Sequence, residues 1–154
     1  MAEAAAKFEI HEPAPMRRFS MADLSQHGPW LLKRFQLKFP NFAERAVAGY
    51  LTGLVTNNEH LFLYQDHAVA LAQIVHSPGI RPVKQVQERF VWVEDRGAKQ
   101  QLEDAADFYI RIHDWAKGLD AERIIVCEDT DVPKTLIEAR LGRIFDTKVS
   151  HVRM

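Results

Sequence analysis

The chain has 154 residues, 47% of them apolar, with a formal net charge of −1. That length fits one domain, the apolar content excludes a disordered chain, and the balanced charge excludes strong steering toward nucleic acid or acidic lipid. No apolar run approaches the roughly 20 residues of a membrane span, and the lone Cys127 excludes an internal disulfide or a cysteine zinc cluster, so a reducing, cytoplasmic setting is expected.

The opening MAEAAAKFEIHEPAP carries acids and lacks a long apolar core, so it does not read as a signal peptide. Residues 1–14 are expected to be a flexible segment and residues 15–154 a single domain, with no internal repeat or linker. Residues 16–19 (MRRF) predict a short strand, and Ser20 is placed to cap a turn at 21–26. Trp30, Leu31, Phe35 and Leu37 recur at near-helical spacing over 29–38, and Pro40 ends that piece. Asn41 is the expected N-cap of a second helix, with Glu44 in capping-box position; Phe42, Ala46, Gly49, Tyr50, Gly53 and Leu54 share a face. Two strands, about 60–65 and 68–76, flank a tight Asp66-His67 turn and predict a hairpin. SPGIRP is a longer loop. Residues 84–93 predict another strand, with Val86, Glu88, Phe90 and Trp92 on one side and Gln87, Arg89, Val91 and Val93 on the other.

Residues 98–118 predict the longest helix, apolar on two stripes and therefore widely covered. RIIVC at 123–127 reads as a strand buried on both faces. Asp131 is the expected cap of a short helix reaching Arg140, with Pro133 in its first turn and Gly142 at C′. Residues 143–152 predict a last strand. The order β-α-α-β-β-β-α-β-α-β puts hairpins first and a β-α-β crossover near the end. It implies an α/β (α+β) fold with a mixed sheet and helices on both faces.

Over about residues 15–153 this order resembles the GNAT acetyltransferase superfamily. The local likeness is carried by WAKGLDAERIIV at 115–126, similar to the stretch that feeds the family's fifth strand, and by EARLGRIF at 138–145, similar to its "KLGF" element. The resemblance implies a mostly antiparallel, twisted sheet whose fourth and fifth strands splay apart. The pantetheine arm of acetyl-CoA lies in that gap, so acetyl-CoA is the implied cofactor and an amine the implied acceptor. Carried onto this chain, the cofactor would lie across Val91, Trp92 and Val93, with Arg96, Gly97, Lys99 and Gln100 as its phosphate turn. Glu88 is the implied catalytic base.

The sequence also departs from the family pattern. Glu103 stands where the phosphate motif has its first glycine, with Asp104 beside it, and Glu138 stands where many members have an acidic tyrosine. A carboxylate about 4–6 Å from a pyrophosphate costs on the order of 1 kcal/mol even when screened. The same acids favour a free helix N-terminus.

Other constellations carry less. The seven histidines show no zinc-ligand spacing, so no metal is expected. His113 reads as a core histidine, Cys127 as a small buried hydrophobe, and no G-x-S-x-G elbow is present. Lys33, Arg34 and Lys38 with Phe35 and Phe39 form a basic, aromatic stretch that reads first as the solvated face of an amphipathic helix. Three functions follow. The first is acetyl transfer to an amine. The second is an inactive GNAT-fold protein that serves as an interaction or structural subunit, as a homo-oligomer or an assembly component. The weakest is a nucleic-acid-acting relative using the 31–40 stretch.

Overall fold

The structure, a computed structural model, describes residues 16–57, 59–77, 83–94, 98–126 and 129–142. The N-terminal segment, the loop SPGIRP apart from its Ser77, Arg96 and Gly97, Cys127 and the last expected strand lie outside the described residues.

Strand β1 (Arg17–Arg18) leads into helix α1 (Met21–Lys38), then α2 (Glu44–Thr56), β2 (His60–Gln65), β3 (Ala68–Ser77), β4 (Val83–Val93), α3 (Lys99–Gly118), β5 (Arg123–Val126) and α4 (Lys134–Leu141). The described strands form a five-stranded sheet in the order β1-β2-β3-β4-β5. The first three pairings are antiparallel and β4–β5 is parallel.

One face of the sheet packs on α3 and α4, with Phe108, Tyr109 and Ile112 of α3 against Leu61, Ala70, Ala72 and Val91. The small β3 alanines let the helix approach closely, and each large side chain so buried contributes about 1.5–3 kcal/mol. His113 is buried there as expected, but its Nδ1 has no hydrogen-bond partner among the described residues and is not the satisfied core histidine expected. The other face packs on α1 and α2, joining Leu31, Phe35, Val47, Leu51 and Leu54 to Phe62, Leu71, Phe90 and Trp92.

The Ser20 cap is present and stronger than its sequence suggests. Ser20 Oγ accepts from the Asp23 N–H (3.3 Å), and the Ser20 N–H donates to the Asp23 carboxylate (2.8 Å), closing a capping box. Both terminal guanidinium nitrogens of Arg17 also donate to that carboxylate. Instead of a turn and a separate helix, α1 runs unbroken through Pro29. The missing N–H costs helix stability, but His27, Leu31 and Phe35 are buried on both sides of the proline, and this packing overrides it.

The Arg17 guanidinium holds the Asp23 carboxyl far below the usual carboxylate range. A depressed folded-state pKa means stability that is full above the unfolded value of about 3.9 and is lost as pH falls below it. In urea melts, Asp23→Asn is expected to cost about 1–2 kcal/mol near neutral pH. The gap from wild type should shrink on acidification below about pH 4; a gap that does not depend on pH contradicts this.

Two expectations for α2 are corrected. Its N-cap is Ala43, with no side-chain cap bond, rather than Asn41. Its buried stripe is Val47, Leu51 and Leu54, while Phe42 and Tyr50 are exposed. Branched aliphatic residues one and two turns apart fill the sheet face better than a stripe containing Gly49 and Gly53, which face open space. The hairpin stands as expected, with Asp66 (φ 44°) and His67 (φ 61°) both in the left-handed region of a type I′ turn.

The expected row Val86–Glu88–Phe90–Trp92 is broken. Leu71 pairs with Phe90 but Ala72 pairs with Glu88, so Arg89 is the extra residue of a β-bulge. Val86 and Glu88 face α3 before the bulge, and Val91 and Val93 do so after it. Phe90 and Trp92 swing to the α1–α2 face. A bulge inserts one residue into a period of two, and every later side chain changes sides.

Candidate functional site

Beyond the bulge, β4 presents its hydrogen-bonding edge to the gap where β5 has ended. That edge is taken by residues 129–131. The Val91 N–H donates to the Asp129 carbonyl (3.3 Å), and the Asp131 N–H donates to the Val91 carbonyl (2.9 Å). Val91 and Thr130 form a parallel bridge. The Val93 N–H donates to the Asp131 carboxylate (2.9 Å), and the Trp92 indole N–H to the Asp129 carboxylate (3.1 Å).

The segment is anchored to both layers of the fold. Toward α1, Arg34 pairs with Asp131 and Lys38 with Asp129, and the Arg34 guanidinium lies 5.0 Å from the Trp92 ring centre. Toward α3, the Tyr109 hydroxyl bridges the Thr130 hydroxyl (2.8 Å) and the Glu88 carboxylate (2.7 Å). Asp131 therefore does not cap α4 as expected. The N-cap is Pro133, and the Asp131 carboxylate is held by Arg34 and Val93.

A cavity of about 500 Å³ opens on the α1–α2 side of β4. Phe35, Phe39, Phe42, Tyr50, Phe90 and Trp92 give it aromatic walls, and Lys38, Arg89 and Asp129 give it charge. The Phe39 and Phe42 rings stack at 5.1 Å, and the Phe90 and Trp92 rings at 4.0 Å. Arg89, carried outward by the bulge, forms no ion pair among the described residues. Burial raises the Tyr50 hydroxyl pKa, and nearby Arg89 opposes that shift.

The expected site residues are divided by this geometry. Val91 and Val93 put their side chains into the α3-side core and their backbone onto 129–131, whereas Trp92 lines the cavity. Glu88 is fully buried against Tyr109, away from the cavity. Lys99 and Gln100 are exposed in the first turn of α3, where Gln100 donates to Asp104 (3.0 Å). Arg96 and Gly97 lie outside the described residues. Glu138 is exposed and 3.6 Å from Lys134. Arg34 and Lys38 of the basic stretch are held by Asp131 and Asp129 rather than offered to a phosphate backbone.

Among the described residues, the acetyl-CoA implied by the resemblance does not fit the β4 edge as it stands. A pantetheine arm in the β4–β5 gap needs the edge of Val91 and Val93, and that edge is already bonded to the chain itself. Its other end is more permissive, because the first turn of α3 contains no acid and Glu103 and Asp104 fall in the second. Sequence reasoning missed Asp129, Thr130, Asp131 and Tyr109 as one unit. Their only local sign was the run of polar residues after RIIVC.

No protein-family model matches this chain, and no curated protein matches it significantly. Among solved structures, an apo aminoglycoside antibiotic 6'-N-acetyltransferase from Acinetobacter haemolyticus is similar. The TM-score is 0.53 at 16% identity, over 90% of this chain and 94% of that one. No helix among the described residues is long and apolar enough to cross a membrane. The likeness is one of fold: a mixed, mostly antiparallel sheet between helical layers, GNAT-like in its order of strands.

Proposed function

We propose that this chain is a small-molecule-binding protein built on an acyltransferase-type scaffold, and that it captures a flat aromatic anion in the cavity on the α1–α2 side of β4. The observation that carries this reading is the 129–131 segment on the β4 edge, which supports a role without acetyl-CoA. The aromatic walls suit a planar ligand. The lining sets two cations, Lys38 and Arg89, against one carboxylate, Asp129, and Arg89, which has no ion pair among the described residues, favours a carboxylate or phosphate on the ligand. The exposed rings of Phe39 and Phe42 form the mouth.

A second reading is acetyl transfer from acetyl-CoA to an amine. It is favoured by the fold likeness to an N-acetyltransferase. It requires 129–131 to leave β4 and a base other than the buried Glu88.

Two titrations separate these readings. Calorimetry with acetyl-CoA is expected to give no saturable heat at millimolar cofactor; saturable binding with turnover of an amine overturns the first reading. Tryptophan fluorescence is expected to be quenched saturably by 2-naphthoate, about tenfold more tightly than by the matching naphthylmethylammonium. Arg89→Met should abolish that preference. Equal affinity for the two probes, or none for either, contradicts the anionic ligand class.

A further inference from the structure

Three side chains that are far apart in the sequence meet at the tip of the β2–β3 hairpin. His27 comes from the middle of α1, His67 from the turn, and Glu94 from the residue following β4. Each offers one ligand atom, and these atoms lie within 4.8 Å of one another. His67 Nδ1 is 2.7 Å from the Glu94 carboxylate. The His27 and His67 rings meet edge to face at 5.2 Å between centroids, and His27 stacks on Tyr64 at 4.8 Å.

The backbone builds this meeting. His67 sits at φ 61°, in the left-handed region that the tight turn requires. The Glu94 N–H donates to the His67 carbonyl (2.9 Å), which ties the turn to the end of β4. Asp23, one helical turn before His27, is engaged by Arg17 and Ser20.

We propose that His27, His67 and Glu94 bind a divalent transition-metal ion of the Zn²⁺ or Co²⁺ class, with the remaining coordination open to water. Two imidazole nitrogens and one carboxylate oxygen suit this class rather than Ca²⁺ or Mg²⁺, which take all-oxygen sets. Ligand atoms about 2.0–2.2 Å from a tetrahedral ion lie roughly 3.4 Å apart. The His67–Glu94 pair, 2.7 Å apart, must open slightly while the wider separations within 4.8 Å close, and both side chains, about half exposed, can rotate to do so. His27 is the buried, fixed ligand. Burial lowers its pKa, with the neighbouring His67 adding to the effect, and so favours the neutral imidazole that a metal needs. Zinc-ligand spacing is a local sequence pattern, and the hairpin and the bulged strand assemble this set without one.

The untagged full chain is titrated with Zn²⁺ by calorimetry at about pH 8, above the ordinary imidazole pKa of about 6.5, and with Co²⁺ by visible absorption. One saturable Zn²⁺ per chain, with a rise in melting temperature and Co²⁺ bands of low-coordinate geometry, is expected. His67→Asn keeps a residue that tolerates positive φ, and Glu94→Gln keeps the side-chain shape. Each should weaken Zn²⁺ binding at least tenfold while leaving the circular dichroism spectrum unchanged. Absence of saturable Zn²⁺ binding, or less than tenfold weakening in either folded variant, overturns the site. The two remote histidines His60 and His76 serve as controls, since their alanine variants should bind Zn²⁺ as wild type does.

Discussion

Asp131→Ala is expected to lower the unfolding free energy by about 3–5 kcal/mol, which is the cost of breaking a buried ion pair from one side. The Asp131 side chain is 6% exposed and the Arg34 side chain 18%. Removing the carboxylate strands the Arg34 guanidinium over Trp92 and leaves the Val93 N–H without its acceptor. For a chain of this length the loss is on the order of 10 °C in melting temperature. The same change loosens 129–131 from β4, so the amides of Val91 and Asp131 should exchange with solvent faster than those of the β2–β3 ladder. Asp131→Asn keeps an acceptor for Val93 and should lose markedly less stability. Unchanged exchange at Val91 in the alanine variant would show that the segment is not held by this carboxylate.

The second large effect is at Trp92. Its side chain is 1% exposed and touches three groups that define the site: the Phe90 ring, the Arg34 guanidinium and the Asp129 carboxylate. Trp92→Ala is expected to cost about 3–5 kcal/mol by transfer and cavity terms together. It also removes one wall of the ligand cavity. Chemical denaturation measures the first effect, and loss of naphthoate binding in the folded fraction measures the second. Trp92→Phe should recover most of the stability but not the indole bond to Asp129. A stability loss below about 1 kcal/mol in the alanine variant contradicts the packing described for this face.

Much of the scaffold was legible from residues alone, because it rests on local chemistry. Ser20 marks a capped turn through hydrogen bonds that span three residues, although the structure extends that turn into the whole of α1. The alternation in 60–76 around Asp66-His67 marks a hairpin because only a tight turn tolerates two residues of positive φ. The unbroken RIIV run marks a strand, although β5 is the edge of the described sheet, with Arg123 exposed and Ile125 half-buried rather than covered on both faces; the apolar stripes of 98–118 mark a long, widely covered helix. The order of these elements was enough to imply a GNAT-like sheet, and the likeness to a solved acetyltransferase agrees at the level of fold.

The site was not legible in the same way. Glu88 was implied as a catalytic base by the family resemblance, and strict alternation placed it on the same side of the strand as Phe90 and Trp92. The bulge at Arg89 separates them, so Glu88 is buried on Tyr109 and Arg89 reaches the cavity. A bulge leaves no mark in the strand's own residues, since it arises from the pairing with β3. Asp131 looked like a helix cap because caps are local, yet its carboxylate bonds Arg34 and Val93, which lie far from it in the chain.

By itself, then, the sequence determined most of the described elements, their order and the two-faced core, though not the unbroken α1, because hydrophobic periodicity and turn chemistry act within a few residues. Only the tertiary structure decided which side chains face the cavity, that 129–131 occupies the edge of β4, and that His27, His67 and Glu94 converge. Those outcomes depend on strand register and on ion pairs between distant segments. Such contacts form only when the chain has closed on itself, and no local pattern of residue types encodes them.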